Sequence, residues 1–209
     1  MNKYERLSVR RRLGLEIARK MQDELIEEHP LKQLFWECTL RCNLHCRHCG
    51  SDCKKVSDRP DMPKEVFLNV LDTIAQKTDP HKVFVIVTGG EPLMREDLEE
   101  CGAAIYQKGF PWGMVTNGLY LSHERFQRLL AAGLHTATVS LDGFAQEHNW
   151  MRGHSHSFDK AVNAIKCMAE TPGFIFDVVT CANNRNFPYL EELKEFLIEN
   201  GVKRWRIFT

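Results

Sequence analysis

The segment 83–92 reads VFVIVTGGEP, a continuous apolar run that passes directly into Gly-Gly-Glu-Pro. A short apolar run bounded by turn residues is typical of a strand buried on both faces of a sheet. Outward from this segment, strand and helix patterns alternate: strands are predicted at 34–36, 83–87, 113–115, 136–141, 174–180 and 205–208, and helices at 66–75, 97–107, 124–132, 158–169 and 190–199. This alternation predicts parallel strands joined by right-handed crossovers.

The expected fold class is α/β, a partial (β/α)6 TIM-like barrel of parallel strands that ends after the sixth strand. A charged amphipathic helix is predicted at 4–28, before His29-Pro30. We therefore expect two parts, an N-terminal helical extension at 1–30 and a barrel at 31–209 that is truncated at its C-terminus. The stretch between 143 and 158 is predicted to be a polar loop. Ligands of such folds bind at the C-terminal ends of the strands.

Composition argues against several classes of protein. The 209 residues are 43% hydrophobic, and 28 Lys and Arg balance 28 Asp and Glu. No bulk charge points to nucleic acid or to an anionic membrane, so neither is an expected partner. No run of about 18 apolar residues occurs, so we expect no membrane span. With no secretory signal, the cysteine-rich chain is expected in the reducing cytoplasm, where clustered cysteines usually bind metal or perform redox chemistry.

The cysteines are concentrated where the first predicted strand ends. Cys42, Cys46 and Cys49 follow the spacing C-x3-C-x2-C within a segment that also contains Cys38 and Cys53. Thiolates are the usual ligands of iron–sulfur clusters, and three of them leave the fourth iron open. Spacing alone leaves zinc as an alternative, because the three cysteines with His45 or His48 could form a Cys3His site. Cys38 and Cys53 are interpreted as apolar filler or nearby thiols, and Cys101, Cys167 and Cys181 as core residues.

The cysteine segment resembles the signature of the radical S-adenosylmethionine (SAM) superfamily, and Gly89 to Pro92 resembles its GGEP turn. The resemblance implies that Cys42, Cys46 and Cys49 hold a [4Fe–4S] cluster whose free iron chelates SAM. Reductive cleavage of SAM would then release a 5′-deoxyadenosyl radical that abstracts hydrogen. It implies an oxygen-sensitive enzyme with an electron donor such as flavodoxin or ferredoxin.

The same resemblance assigns further residues to SAM. His48 occupies the position of an aromatic contact to the adenine, and the turn at 89–92 would bind the amino group through backbone carbonyls and the Glu91 side chain. The remaining expected contacts follow the later strands: Asn117, Ser140 near the ribose, Asp142 as an orienting or substrate residue, and Arg152, in an H-x3-R-G stretch, for the carboxylate. His148, His154 and His156 are interpreted as residues of a solvated loop rather than as metal ligands.

The chain is similar to superfamily members that carry a C-terminal SPASM or twitch extension, including peptide and protein maturases, and that extension is not expected here. The implied substrate is a peptide or a small biosynthetic precursor. Two alternatives remain at this stage: a catalytically incompetent core that binds a partner, and a zinc-binding module on the same fold.

Overall fold

The fold is described from a computed structural model in which residues 7–51 and 53–209 are placed. The chain divides into two units, Met1–Lys32 and Gln33–Thr209, which are described separately. The first unit contains helix α1, Val9–Glu28. Residues 4–6 of the predicted helix lie outside the described part of the chain. None of the described helices combines the length and apolar character that crossing a membrane requires.

Helix α1 begins and ends at residues that suit a helix terminus. The Ser8 side chain accepts a hydrogen bond from the Arg11 backbone N–H, at 3.3 Å, which caps the first turn. The helix ends at His29, whose φ of 45° is left-handed and whose N–H donates to the Leu25 carbonyl. Pro30 follows, and the residue before a proline is disfavoured in a helix. The predicted stop at 29–30 is therefore confirmed.

The second unit is a single six-stranded sheet in which every strand is parallel to its neighbour and the spatial order is the chain order. The strands are β1 (Gln33–Glu37), β2 (Phe84–Thr88), β3 (Trp112–Thr116), β4 (Leu134–Ser140), β5 (Ile175–Cys181) and β6 (Trp205–Phe208). The helices are α2 (Lys64–Ala75), α3 (Leu98–Gln107), α4 (His123–Ala131), α5 (Ala145–Arg152), α6 (Ser157–Ala169) and α7 (Leu190–Glu199). The predicted partial (β/α)6 barrel is confirmed.

One predicted loop is wrong. The stretch between β4 and α6 contains helix α5, so two helices rather than one separate β4 from β5. Its few apolar residues show no clear helical repeat, which is why the sequence pattern did not indicate it. The helix ends at Gly153, whose φ of 66° is left-handed and favours glycine.

The expectation that segment 83–87 is buried on both faces is also wrong. Val83, Val85 and Val87 are fully buried, whereas Phe84 and Ile86 are only half-buried. The valines pack in the main hydrophobic core, which extends to the helices. The other two side chains line a cavity of about 280 Å³ on the opposite face of the strands. Because the barrel has only six strands, its inner face is incompletely covered, and apolar side chains there remain partly exposed.

Candidate active site

The carboxyl ends of the strands surround a cavity of about 170 Å³. Two contributions meet there: the cysteine loop after β1, and the segments that follow β2, β3 and β4. The predicted residues that line it are Cys42, Cys46, His48, Cys49, Gly89, Gly90, Glu91, Asn117, Ser140 and Arg152. Ser140 is half-buried at the last position of β4. Pro92 and Asp142, the other two predicted residues, are buried beside these segments.

The cysteine loop continues the pairing of β1 with β2 beyond the ends of the two strands. The Cys38 N–H donates to the Thr88 carbonyl at 2.9 Å, and the Gly90 N–H donates to the Thr39 carbonyl at 2.8 Å. One residue later, the Glu91 N–H donates to the Arg41 carbonyl at 2.9 Å. These three bonds hold the Gly-Gly turn against the segment that leads into the cysteines.

Gly89 and Gly90 are required by this close approach. A Cβ at Gly89 would lie 2.3 Å from the Thr39 carbonyl oxygen, and its φ of 141° is one that side chains rarely adopt. A Cβ at Gly90 would lie 2.3 Å from the Arg41 carbonyl oxygen and 3.1 Å from the Cys42 Cβ. Both glycines therefore allow the cysteine loop to pack on the turn, in addition to the approach to a ligand expected from the sequence.

Glu91 joins the ends of β2 and β3. Its carboxylate is buried and accepts hydrogen bonds from the Leu93 N–H at 3.2 Å, the Thr116 hydroxyl at 2.7 Å and the Asn117 N–H at 2.8 Å. Burial raises the pKa of Glu91, and these hydrogen bonds oppose that shift. Both oxygens already have protein partners, a structural role that the sequence pattern did not indicate.

Asn117 reaches from β3 to the cysteine loop. Its side-chain amide donates to the Asn43 Oδ1 at 2.8 Å and lies 4.0 Å from the Cys42 Sγ. Its Oδ1 accepts from the Leu119 N–H, so the amide orientation is defined by two opposite partners. Asn43, which was not singled out from the sequence, is thus part of the same contact.

Asp142 and Arg152 form a buried ion pair behind the cysteines. The Arg152 Nη2 lies 2.7 Å from the Asp142 Oδ2, and the Arg152 Nη1 is 3.7 Å from the Cys46 Sγ. The Asp142 Oδ1 accepts from the Cys181 N–H, and its Oδ2 is 3.9 Å from the His48 Nε2. Burial and the neighbouring guanidinium lower the pKa of His48. Arg152 is therefore already paired, while its buried Nε has no hydrogen-bond partner among residues 7–51 and 53–209.

His148 is fully buried, so the expectation of a solvated histidine is wrong at this position. Its Nδ1 accepts from the Asp142 N–H at 3.0 Å, which leaves the proton on Nε2, 2.7 Å from the Ser157 hydroxyl. Burial lowers its pKa to about 3. The neutral ring is thus a structural brace for the Asp142 loop. Asn186 adds a second brace, since its amide donates to the Asp142 carbonyl at 2.8 Å.

Helix α5 contacts the cysteine loop directly. The Arg47 N–H donates to the Met151 carbonyl at 2.9 Å, and the Arg47 Nε donates to the Trp150 carbonyl at 3.1 Å. Two guanidinium groups lie over the Trp150 ring, that of Arg47 at 4.7 Å and that of Arg185 at 4.2 Å from its centroid. These contacts connect the cysteine loop to the segment after β5, a role that no sequence motif indicated.

The cysteine thiols differ in burial. Cys49 is exposed, whereas Cys42 and Cys46 are half-buried, and burial raises the pKa of Cys42 to about 11 and that of Cys46 above its usual value. A metal would have to displace these protons to bind. Across the described residues, no three His, Cys, Asp or Glu side chains are grouped as one single metal ion requires. In a [4Fe–4S] cluster each thiolate binds a different iron.

The sequence profile described as the radical SAM superfamily matches residues 36–197. The chain belongs to the radical SAM superfamily. The family uses a [4Fe–4S] cluster and SAM. The three thiols at the cavity fit the cluster, which binds thiolates, and the Arg152 Nε, which has no partner among the described residues, fits SAM as a hydrogen-bond donor. The cofactors of this radical SAM protein are therefore the cluster and SAM.

Curated relatives include enzymes of tetrapyrrole metabolism. The chain is 30% identical over 190 residues to the Fe-coproporphyrin III synthase of Methanosarcina barkeri, which covers 90% of this chain and 46% of that protein. It is 28% identical over 178 residues to the AdoMet-dependent heme synthase of Nitratidesulfovibrio vulgaris, covering 85% and 47%. The chain thus spans about half the length of these relatives.

Among solved structures, Streptococcus suis SuiB bound to S-adenosylmethionine has a similar fold. The TM-score is 0.72 at 20% identity, and the match covers 97% of this chain and 47% of that one. SuiB bound to its precursor peptide SuiA matches with a TM-score of 0.70. At this level of identity the likeness concerns the fold alone.

Proposed function

We propose that this protein is a radical SAM enzyme whose cluster is held by Cys42, Cys46 and Cys49. The observation that carries the proposal is the shared cavity, in which these three thiols face the turn after β2 and the ends of β3 and β4. When bound, the cluster and SAM would supply reductive cleavage to a 5′-deoxyadenosyl radical, which abstracts hydrogen from substrate. The protein would supply binding, orientation and exclusion of water.

The residues around the cysteines would bind SAM in two ways. The backbone carbonyls of the 89–92 turn and the hydroxyl of Ser140 would accept or donate hydrogen bonds directly, and His48 would pack near the adenine. Glu91 and Asn117 would chiefly keep that turn and the Cys42 end of the loop in place, because their polar atoms already have protein partners.

Arg152 keeps donors for the proposed carboxylate contact. Its Nη2 is engaged by Asp142 and its Nη1 approaches Cys46, while its Nε has no partner among the described residues. A guanidinium carries five N–H groups, so a carboxylate would meet those that Asp142 and Cys46 leave unused. Asp142 would hold the guanidinium in its orientation, because breaking the buried ion pair is costly.

We propose a peptide or a small biosynthetic precursor as substrate. The names of the curated relatives favour a small precursor, and the SuiB structure with its precursor peptide supports the peptide alternative. The reaction with either substrate would require a one-electron donor, for which we propose a flavodoxin or a ferredoxin. It would also require a reducing compartment such as the cytoplasm.

The test is anaerobic reconstitution with iron and sulfide, followed by EPR of the reduced protein before and after addition of SAM. We expect a [4Fe–4S]⁺ signal that SAM perturbs and that Cys42→Ala abolishes, together with SAM-dependent 5′-deoxyadenosine. The matched control is Cys167→Ser, because Cys167 lies on α6 and does not line the cavity. A cluster that ignores SAM, or zinc without iron and sulfide, would reject the proposal in favour of a non-catalytic core or a zinc module.

A further inference from the structure

A fourth cysteine shares the cavity with the three proposed cluster ligands. Cys53 is 7% exposed and lines the same 170 Å³ cavity as Cys42, Cys46 and Cys49. It also lines a second cavity, of about 470 Å³, again together with Cys46 and Cys49. No other cysteine of the described residues, which omit residues 1–6 and 52, lines either cavity.

The backbone around Cys53 is held beside Cys42. Arg41 and Lys54 form a parallel β-bridge, and the Cys42 N–H donates to the Lys54 carbonyl at 2.8 Å. The Cys53 Sγ lies 3.6 Å from the Ser51 carbonyl oxygen. The loop therefore doubles back so that its fourth cysteine lies beside its first.

The other cysteines are placed differently. Cys38 and Cys101 are in the hydrophobic core, Cys167 lies on α6 and Cys181 ends β5. Filling an apolar gap accounts for Cys38 and Cys101, but it does not account for a buried thiol at the wall of a cavity that three other thiols share. A [4Fe–4S] cluster is usually held by four thiolates.

We propose that Cys53 is an exchangeable fourth ligand, which binds the fourth iron in the absence of SAM and is displaced when SAM binds. This inference rests on the proposed function. In the exchange, the iron–sulfur bond to Cys53 breaks and bonds from iron to the SAM amino nitrogen and carboxylate oxygen form. The released thiolate takes up the proton that the SAM ammonium group loses when its nitrogen binds iron, and no electron is transferred. With four thiolates bound, the fourth iron has a protein ligand until SAM replaces it.

The experiment compares the full chain with Cys53→Ser and with Cys167→Ser, each reconstituted anaerobically and analysed for iron and sulfide. EPR of the reduced proteins is recorded without SAM and with saturating SAM. We expect Cys53→Ser to differ from wild type without SAM and to coincide with it when SAM is present, while Cys167→Ser matches wild type in both states. If the Cys53 thiolate binds the fourth iron in about nine-tenths of the clusters, Cys53→Ser should lower the apparent Kd for SAM about tenfold.

A measurement on the wild-type protein alone avoids any dependence on how the variant folds. ⁵⁷Fe Mössbauer spectra should show four irons in sulfur coordination before SAM is added, and one distinct iron afterwards. A distinct iron already present without SAM overturns the inference, and so do identical wild-type and Cys53→Ser spectra in that state. Cluster loss from a folded Cys53→Ser protein also overturns it, because Cys53 would then be a permanent ligand.

Failure of the inference is distinguishable from failure of the proposed function. If wild type assembles a cluster that responds to SAM, but Cys53→Ser behaves identically without SAM, only the role of Cys53 is wrong. If wild type assembles no cluster, or one that is indifferent to SAM, both proposals are wrong.

Discussion

At the residue scale, the site depends on a few buried polar side chains that contact other groups of the protein. Asp142 contacts Arg152, a backbone N–H of β5 and the amide of Asn186 through its own carbonyl. A buried ion pair contributes little net stability, but it is costly to break because one charge is left without its partner. The pair therefore fixes the position of the guanidinium next to Cys46.

His148 makes the stability of this loop pH-dependent. Its pKa is about 3 in the folded protein against 6.5 in an unfolded chain, so the unfolded state binds more protons between these values. Stability is complete above pH 6.5 and is lost as the pH falls. We expect wild type to lose about 3 kcal/mol of unfolding free energy from this group between pH 6.5 and 4.

The measurement is urea denaturation as a function of pH. His148→Asn keeps an acceptor for the Asp142 N–H but cannot be protonated, so its slope between pH 4 and 6.5 should be shallower than that of wild type. His135→Asn, at an exposed position, is the control and should keep the wild-type slope. Equal slopes for His148→Asn and wild type would contradict the assigned role.

At the scale of elements, the cysteine loop is held from two sides. On one side, the turn after β2 packs against it through two glycines that leave no room for a Cβ. On the other side, α5 binds it through two backbone carbonyls and the Trp150 ring. A loop held in this way keeps its three thiols in place without a regular structure of its own, as a cluster ligand set requires.

Removing the Trp150 ring should loosen the cysteine loop without unfolding the barrel. The two cation–π contacts are worth about 0.5–1 kcal/mol each at exposed sites. We therefore expect Trp150→Leu to lower the unfolding free energy by about 1–2 kcal/mol. Faster hydrogen exchange should be confined to residues 42–49 and 182–186. The control is Phe187→Leu, which replaces a largely exposed aromatic residue nearby and should leave hydrogen exchange in both segments unchanged. If Phe187→Leu has the same effect as Trp150→Leu, the cation–π contacts of Trp150 are not responsible.

At the scale of the whole molecule, the six-stranded barrel is open and its inner face carries a polar link across the last three strands. The Thr138 hydroxyl of β4 donates to the Asp177 Oδ1 of β5 at 2.6 Å, and the Arg206 guanidinium of β6 contacts both. The apolar residues Phe35 and Phe208, on the first and last strands, are 62% and 52% exposed. The polar link therefore joins β6 to the sheet where apolar packing is incomplete.

The Asp177–Arg206 link should be measurable as a coupling energy. Arg206 is about half exposed, so solvent screens the pair, and each of Asp177→Asn and Arg206→Gln should cost about 0.5–1 kcal/mol of unfolding free energy. The double variant should cost less than the sum, since each single variant already loses the contact between Asp177 and Arg206. Strict additivity in a double-mutant cycle would show that the two side chains do not stabilise each other.

Much of this protein follows from local sequence alone. Alternating strand and helix patterns imply a parallel sheet because a crossover of this length allows no other simple arrangement. The cysteine spacing and the GGEP turn resemble those of a known family. This resemblance predicted the family and its cofactors, and both are confirmed. The turn at 89–92 follows one strand, and Asn117 and Ser140 lie at the ends of later strands, so all of them were predicted to lie at one edge of the sheet, where the structure places them.

Other features were decided only by the tertiary structure, because they depend on residues far apart in sequence. The sequence did not indicate α5, since its helix is stabilised by contacts with the cysteine loop about 100 residues earlier and not by an apolar repeat of its own. The pairing of Arg152 with Asp142, the brace by His148 and the protein partners of Glu91 likewise arise from burial between strand ends. Local sequence thus determined the order of elements and the spacing of the cysteines proposed as cluster ligands, and tertiary packing determined which polar atoms remain open to a ligand.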